Sequence, residues 1–319
     1  MAIINSDIEQ AARHLRAGQL VGIPTETVYG LAGNALDPDV VLKIFTTKNR
    51  PQFDPLIVHT DSLDKAKTLV QDFPKEALQL AETFWPGPLT LLLPKTSLIP
   101  DLVTSGLDTV AVRIPAHPLT LALLQTLDFP LAAPSANPFG YISPTSALHV
   151  AQQLGDKIPF ILDGGESQIG IESTIIGFEE NQAVVYRLGG IAIEAIEALI
   201  GPIKLLAHST SNPQAPGMLK SHYAPRKPLF INYLEEILKQ YPHEKIGFLG
   251  FQKATLSLDL AQQRILSPVG SYEEAAKNLF AYLRQLDQLP IEIICSELLP
   301  EEGLGRAIND RLRRAAVRE

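Results

Sequence analysis

Several short stretches of this chain gather cations and hydroxyls at points where the backbone is fixed. Lys48, Asn49 and Arg50 precede Pro51, so two cations share a turn whose proline sets the backbone. Such a turn suits a polyphosphate, and it equally suits solvated surface charge. Over Thr109–Pro115 the residues alternate, placing Thr109, Ala111 and Arg113 on one face and Val110, Val112 and Ile114 on the other. An arginine there either clamps a carboxylate with two parallel hydrogen bonds or closes an internal ion pair. Leu131–Thr145, LAAPSANPFGYISPT, begins as a buried apolar run and breaks at Pro134 into Ser135 and Asn137. A rigid polar loop fed by a strand is a common seat of chemistry, and a plain Pro/Ser/Asn turn has the same composition. Ser143 before Pro144 reads as a helix N-cap with proline at the first position, and a helix start also attracts anions. His59 closes the run Leu56–Val58, where a structural histidine and a ligand contact both fit.

Absent motifs narrow the chemistry. The sequence has no GxxxxGK[ST] loop, no GxGxxG after a strand, no GxSxG elbow and no HExxH. Seven scattered histidines do not suggest a zinc site, and Gly303 and Gly305 read as a tight turn before the last helix. A net charge of -8 opposes bulk electrostatic binding of nucleic acid, so an anionic ligand needs a local cluster of cations. The single cysteine, Cys295, lies in an apolar run and reads as a core thiol in a reducing compartment. No apolar run approaches the about eighteen residues of a membrane span, and the N-terminus lacks a leader pattern, so a cytoplasmic protein without membrane attachment is expected.

The 319 residues exceed what one core comfortably fills. Strands are expected at Leu20–Ile23, Leu56–His59, Leu89–Leu93, Thr109–Pro115, Phe160–Asp163, Ser173–Gly177 and Ala183–Leu188. Helices are expected after a capping box at Ser6 and Glu9, over Asp39–Phe45, Leu63–Asp72, Lys75–Phe84 and Leu119–Leu127, and from Thr145 to Leu154. Pro24–Ala35 reads as a ligand-facing loop. This mixture predicts an α/β domain over residues 1–206. Residues 207–228 lose apolar periodicity and read as a linker. Residues 229–319 form a small second α/β domain with a parallel sheet and a helix capped by Ser271 and Glu274.

The segments PTETVYGLA, KNRPQFDPLIVH, WPGPLT, VAVRIP, APSAN followed by SPT, ILDGG and ESTII, in that order, resemble the motifs of threonylcarbamoyl-AMP synthases. APGMLKSHYAP with the small domain after it resembles the two-domain form of that family. The resemblance implies a YrdC-like twisted mixed sheet followed by a smaller Rossmann-like domain. It implies synthesis of L-threonylcarbamoyl-AMP from L-threonine, bicarbonate or CO2, and ATP, with release of pyrophosphate and magnesium on the phosphates. The product would pass to a tRNA threonylcarbamoyl transferase complex that modifies position 37 of tRNAs reading ANN codons, without stable nucleic-acid binding by this chain.

Carried over residue by residue, the resemblance puts Thr27, His59, Arg113, Ala133 and Ser173 around threonine. It puts Lys48, Arg50, Asp54, Thr109, Ser135, Asn137, Ser143, Arg187 and Tyr223 around ATP, with Lys48, Arg50 and Arg113 in catalytic roles. Asp54 stands where many members have asparagine, and an acid beside a triphosphate needs a metal or Lys48 between them. Ala215 replaces a common linker serine. His222 and Tyr223 lie between Pro216 and Pro225, and the linker is expected to fold over the nucleotide as a lid. Two other readings compete: an RNA-binding module using Lys48 and Arg50, and a serine hydrolase built on Ser135, for which no partner histidine and acid can be assigned.

Overall fold

The computed structural model describes residues 1–180, 182–206, 213–219 and 222–317. The larger unit is one mixed sheet of β1 (Ile3–Asn5), β2 (Val21–Ile23), β3 (Gly30–Asn34), β4 (Ile57–His59), β5 (Leu89–Pro94), β6 (Thr109–Arg113), β7 (Leu131–Ala132), β8 (Phe160–Leu162), β9 (Thr174–Glu179), β10 (Gln182–Arg187) and β11 (Lys204–Leu205). Their order is β1-β8-β2-β3-β7-β4-β6-β5-β9-β10-β11. Around the sheet pack α1 (Ile8–Arg16), α2 (Pro38–Lys48), α3 (Leu63–Leu69), α4 (Lys75–Phe84), α5 (Asp101–Thr104), α6 (Pro118–Thr126), α7 (Ala147–Leu154) and α8 (Ile193–Ile200). The alternation foreseen for Thr109–Pro115 holds where it matters: Val110 and Val112 enter the main core with Leu91 and Leu93 of β5.

Four local expectations are corrected. Pro24–Ala35 is not all loop, because β3 pairs antiparallel with β2, Ile23 opposite Gly30. The cap of α1 is Asp7, which accepts from the Gln10 N–H at 2.9 Å, one residue later than the Ser6 and Glu9 box. Lys48 is the last residue of α2 rather than part of a turn; Asn49, at φ 54, ends the helix in the left-handed conformation that asparagine tolerates. Ser143 caps nothing: α7 begins after Ser146, whose hydroxyl accepts from the His149 N–H at 3.3 Å. The anion-binding helix start proposed at Ser143 is therefore absent.

The smaller unit comprises β12 (Leu229–Ile231), β13 (Ile246–Gly250), β14 (Gln263–Ile265) and β15 (Ile293–Ser296), with α9 (Leu234–Leu238), α10 (Tyr272–Gln288) and α11 (Gly305–Ala316). Its sheet, ordered β12-β15-β13-β14, is parallel at every pairing, as the sequence predicts. Ser271 caps α10 by accepting from the Glu274 N–H, and Cys295 is a buried thiol in β15. The two units share a core, since the cluster around Leu279, Leu283 and Ile308 includes Val28, Ile142 and Ile171 of the larger unit. At Gly170, φ is +79 and an added Cβ would lie 2.5 Å from the Lys277 backbone, so glycine is what lets α10 approach.

Candidate active site

Strand register assembles the centre of the site. Parallel pairing of β4 with β6 sets His59 beside Arg113, and antiparallel pairing with β7 brings Leu131 alongside and delivers Ala133 and Ser135 to the same rim. An irregularity in β10 between Val185 and Arg187 turns Arg187 toward β9, a frequent use of bulges near sites. The cleft so formed has ≈ 580 Å³ of empty space. Thr27, Arg50, His59, Arg113, Ala133, Ser135, Arg187 and Tyr223 all line it, together with Glu172, Pro216, Gly217 and His222.

Arg113 is held rigidly. Its Nε donates to Gly87 O at 3.2 Å and its Nη2 to Glu26 Oε1 at 2.6 Å, while Glu26 Oε2 accepts from the Ala116 N–H. Nη1 takes no part in these bonds. Neighbouring His59 gives Nδ1 to Ile57 O at 3.2 Å, which makes Nδ1 the protonated nitrogen. Burial, and then Arg113, push its pKa down to about 3, so the ring is neutral near pH 7. Thr27 Oγ1 lies 2.8 Å from Thr25 Oγ1. Ser173 does not line the cleft itself; its hydroxyl pairs with Thr90 and accepts from Arg187 Nη2 at 2.9 Å. The other Arg187 donors go to Ser173 O and Pro216 O, so this side chain fastens the linker to β9.

Arg50 donates Nε to Asp54 O and Nη2 to Pro55 O, and lies 2.9 Å from Asp54 Oδ2. Asp54 is fully buried behind Arg50. Burial raises its pKa and Arg50 opposes the rise. The acid flagged in the sequence is thus matched with Arg50, and Lys48 is not required between it and a ligand. Lys48 also sits behind the cleft, with Nζ donating to the carbonyls of Ser135 and Asn137. Burial, then Arg50, lower its pKa well below the usual lysine value. Asn137 closes its loop by donating to Pro138 O and Tyr141 O. Ser143 donates to Glu172 Oε1 at 2.6 Å. Thr109, opposite Pro94 at the outer end of β6, is not among the lining residues.

Sequence reasoning missed four charged residues. Glu26 and Glu172 stand inside the quoted motifs PTETVYGLA and ESTII, and their value lies in pairing with arginines distant in sequence. Arg311 and Arg314 of α11 flank Tyr223, 5.1 and 5.0 Å from its ring centre, while Phe280 stacks at 5.4 Å. Arg311 falls on the buried stripe Ile308, Leu312 and Ala315, where a charge needs a partner. That partner is Glu172, with Arg311 Nε 2.9 Å from Oε2.

The model for the Sua5/YciO/YrdC family, described as telomere recombination, matches residues 13–189. A second, described as the C-terminal domain of threonylcarbamoyl-AMP synthase, matches residues 191–317. Threonylcarbamoyl-AMP synthase of Pyrococcus abyssi is 43% identical over 324 residues, covering 97% of this chain and 94% of the relative. The chain belongs to the threonylcarbamoyl-AMP synthase family. It is therefore an enzyme. The Bacillus subtilis threonylcarbamoyl-AMP synthase is 41% identical over 320 residues, covering 97% of this chain and 92% of the relative. The crystal structure of P. abyssi Sua5 complexed with L-threonine is similar with a TM-score of 0.92 at 41% identity, covering 99% of this chain and 98% of that one. Escherichia coli YciO, at 22% identity and a TM-score of 0.52 over 59% of this chain, shares the fold of the larger unit.

Proposed function

We propose that this chain makes L-threonylcarbamoyl-AMP from L-threonine, bicarbonate and ATP, for threonylcarbamoyladenosine formation in tRNA. The observation that supports it best is the convergence of Arg50, Arg113 and Arg187 on one cleft whose seryl and threonyl hydroxyls lack an activating base. Neither His59 nor His222, the lining histidines, is hydrogen-bonded to Ser135, which disfavours a serine hydrolase.

Arg113 clamps the threonine carboxylate through Nη1, with Thr27, His59 and Ala133 shaping the pocket and Ser173 supporting it from behind. The threonine nitrogen and bicarbonate form an N-carboxylate with loss of water. One carboxylate oxygen then attacks the α-phosphorus of ATP, the bond from that phosphorus to the bridging oxygen breaks, and pyrophosphate leaves with the electron pair. Arg50 and Arg187 offset the charge on the phosphates, and Ser135 and Tyr223 complete the nucleotide side. Lys48, Asp54, Asn137 and Ser143 act one layer back, fixing the loops that carry those groups. Catalysis is then positioning and charge stabilisation.

Magnesium enters this scheme as part of the nucleotide substrate. Among the described residues no group of three or more His, Cys, Asp or Glu could hold a metal, and Glu26, Asp54 and Glu172 are each paired with an arginine. Pro216, Gly217, His222 and Tyr223 line the cleft and support the lid reading of the linker; residues 207–212 and 220–221 lie outside the described residues. The cytoplasm is the proposed location, consistent with one buried thiol, and a tRNA-modifying transferase is the proposed recipient of the product. The RNA-binding alternative is disfavoured because Lys48 and Arg50 are only 1% and 8% exposed.

Pyrophosphate release tests the proposal. Release from ATP should require both threonine and bicarbonate; release that persists with either omitted refutes it.

A further inference from the structure

The mechanism above uses residues of the larger unit and the linker, yet one wall of the cleft depends on the last helix. Glu172 lines the cleft and is 7% exposed. Its Oε1 accepts from Ser143 and its Oε2 from Arg311 Nε. Arg311 is fully buried, with Nη2 donating to Leu188 O at 2.7 Å and Nη1 to Asp310 Oδ2 at 2.6 Å. Leu188 directly follows β10, which carries Arg187. From the same unit, Arg284 of α10 donates Nε to Ser143 O and Nη2 to Ile142 O. Two arginines of the smaller unit thus fix Ser143 and Glu172 from outside the catalytic sheet.

We propose that Arg311 is a positioning residue for the nucleotide side of the cleft, acting through Glu172. This rests on the reading that ATP phosphates lie against Arg50 and Arg187. A carboxylate facing that space repels a triphosphate and attracts Arg187 away from it. Arg311 removes both effects by holding Glu172 in a hydrogen-bonded pair. Burial alone pushes the Glu172 carboxyl up, but Arg311, and after it Arg187, hold it below the usual range, so the group remains an anion that needs this partner. A merely adhesive role would not call for charge here, because well-packed apolar residues hold two units together at least as well as a buried ion pair.

The test compares KM for ATP and kcat in threonine-dependent pyrophosphate release. Arg311→Met should raise KM for ATP roughly tenfold, the factor of one lost charge-assisted contact, with kcat little changed. Adding Glu172→Gln to that variant removes the repelling charge and should bring KM back at least half-way. Arg313→Met serves as control, since Arg313 is on the same helix and pairs at the surface with Glu301. A wild-type KM for ATP in folded Arg311→Met overturns the proposal, as does a double variant no better than the single one. If Arg311→Met does not fold, Arg311→Gln takes its place under the same criteria; failure of both to fold assigns Arg311 to stability and also overturns it. Wild type assayed beside them separates this inference from its premise: threonine-independent release by wild type refutes the functional reading, whereas a normal KM in the variants refutes only the role of Arg311.

Discussion

Acidification should weaken this protein well above the range where carboxylates titrate, and His59 isolates the cause. Its pKa is depressed from the unfolded value of about 6.5 to about 3 because burial, and then Arg113, disfavour the imidazolium. The unfolded chain therefore binds a proton that the folded chain refuses. The stability this group contributes is fully present above the unfolded pKa and falls as pH drops toward the folded one. At about pH 5 the deficit is about 2 kcal/mol for His59 alone, from the ratio of the two proton-binding polynomials. His149, lowered to about 4 mainly by burial and then by Arg284, adds a similar amount, and His222, lowered by burial and then Arg314, acts in the same direction. His59 and His149 together approach the lower end of the stability of an ordinary domain, about 5–15 kcal/mol. Urea unfolding of wild type and His59→Gln at about pH 7.5 and about pH 5 gives the test, since the raised pKa of Asp54 is common to both proteins and cancels. Glutamine should reduce the acid-induced loss by about 2 kcal/mol. Equal losses in the two proteins would show that His59 is not held neutral by burial.

Two other substitutions probe the site. Arg113→Met leaves Glu26 buried without its partner and should cost about 3–5 kcal/mol in urea unfolding, with loss of threonine binding by calorimetry; adding Glu26→Gln should recover part of the stability but not the binding, and recovery of both would remove Arg113 from the threonine site. Gly189→Ala places a Cβ 2.3 Å from the Ser173 carbonyl carbon and 2.4 Å from Glu172 O, where only backbone can yield. It should cost about 1–3 kcal/mol and reduce pyrophosphate release more than the folded fraction measured by circular dichroism, and full activity per folded molecule would contradict the tight junction.

The readable parts of the sequence were those in which a local pattern has a local cause. Alternation over Thr109–Pro115 foretold the apolar face of β6, and Ser271 followed by Glu274 foretold the start of α10, because both signals act within one element. Ser143 before Pro144 misled because Ser146 competes for the same helix three residues on, and the winner depends on what else claims the hydroxyl; Glu172 claims that of Ser143. The edge strands β1 and β11 leave little trace because Ile3, Ile4 and Leu205 stay exposed and show no buried alternation. Charge pairing was the least legible layer. Arg113 and Glu26 are 87 residues apart and Arg311 and Glu172 are 139 apart, separations that no spacing rule reaches.

The strand order has a consequence for synthesis on the ribosome. β1 pairs with β8, and β5 pairs with both β6 and β9, so the sheet is stitched from segments that emerge far apart in time. A nascent chain that has reached only Arg187 holds the sheet residues of the cleft but lacks Arg311, the hydrogen-bonded partner of Glu172. Only when α11, which follows both sheets in the chain, has left the ribosome can that pair form. The chain thus delays the completion of this cleft until the smaller unit has been translated.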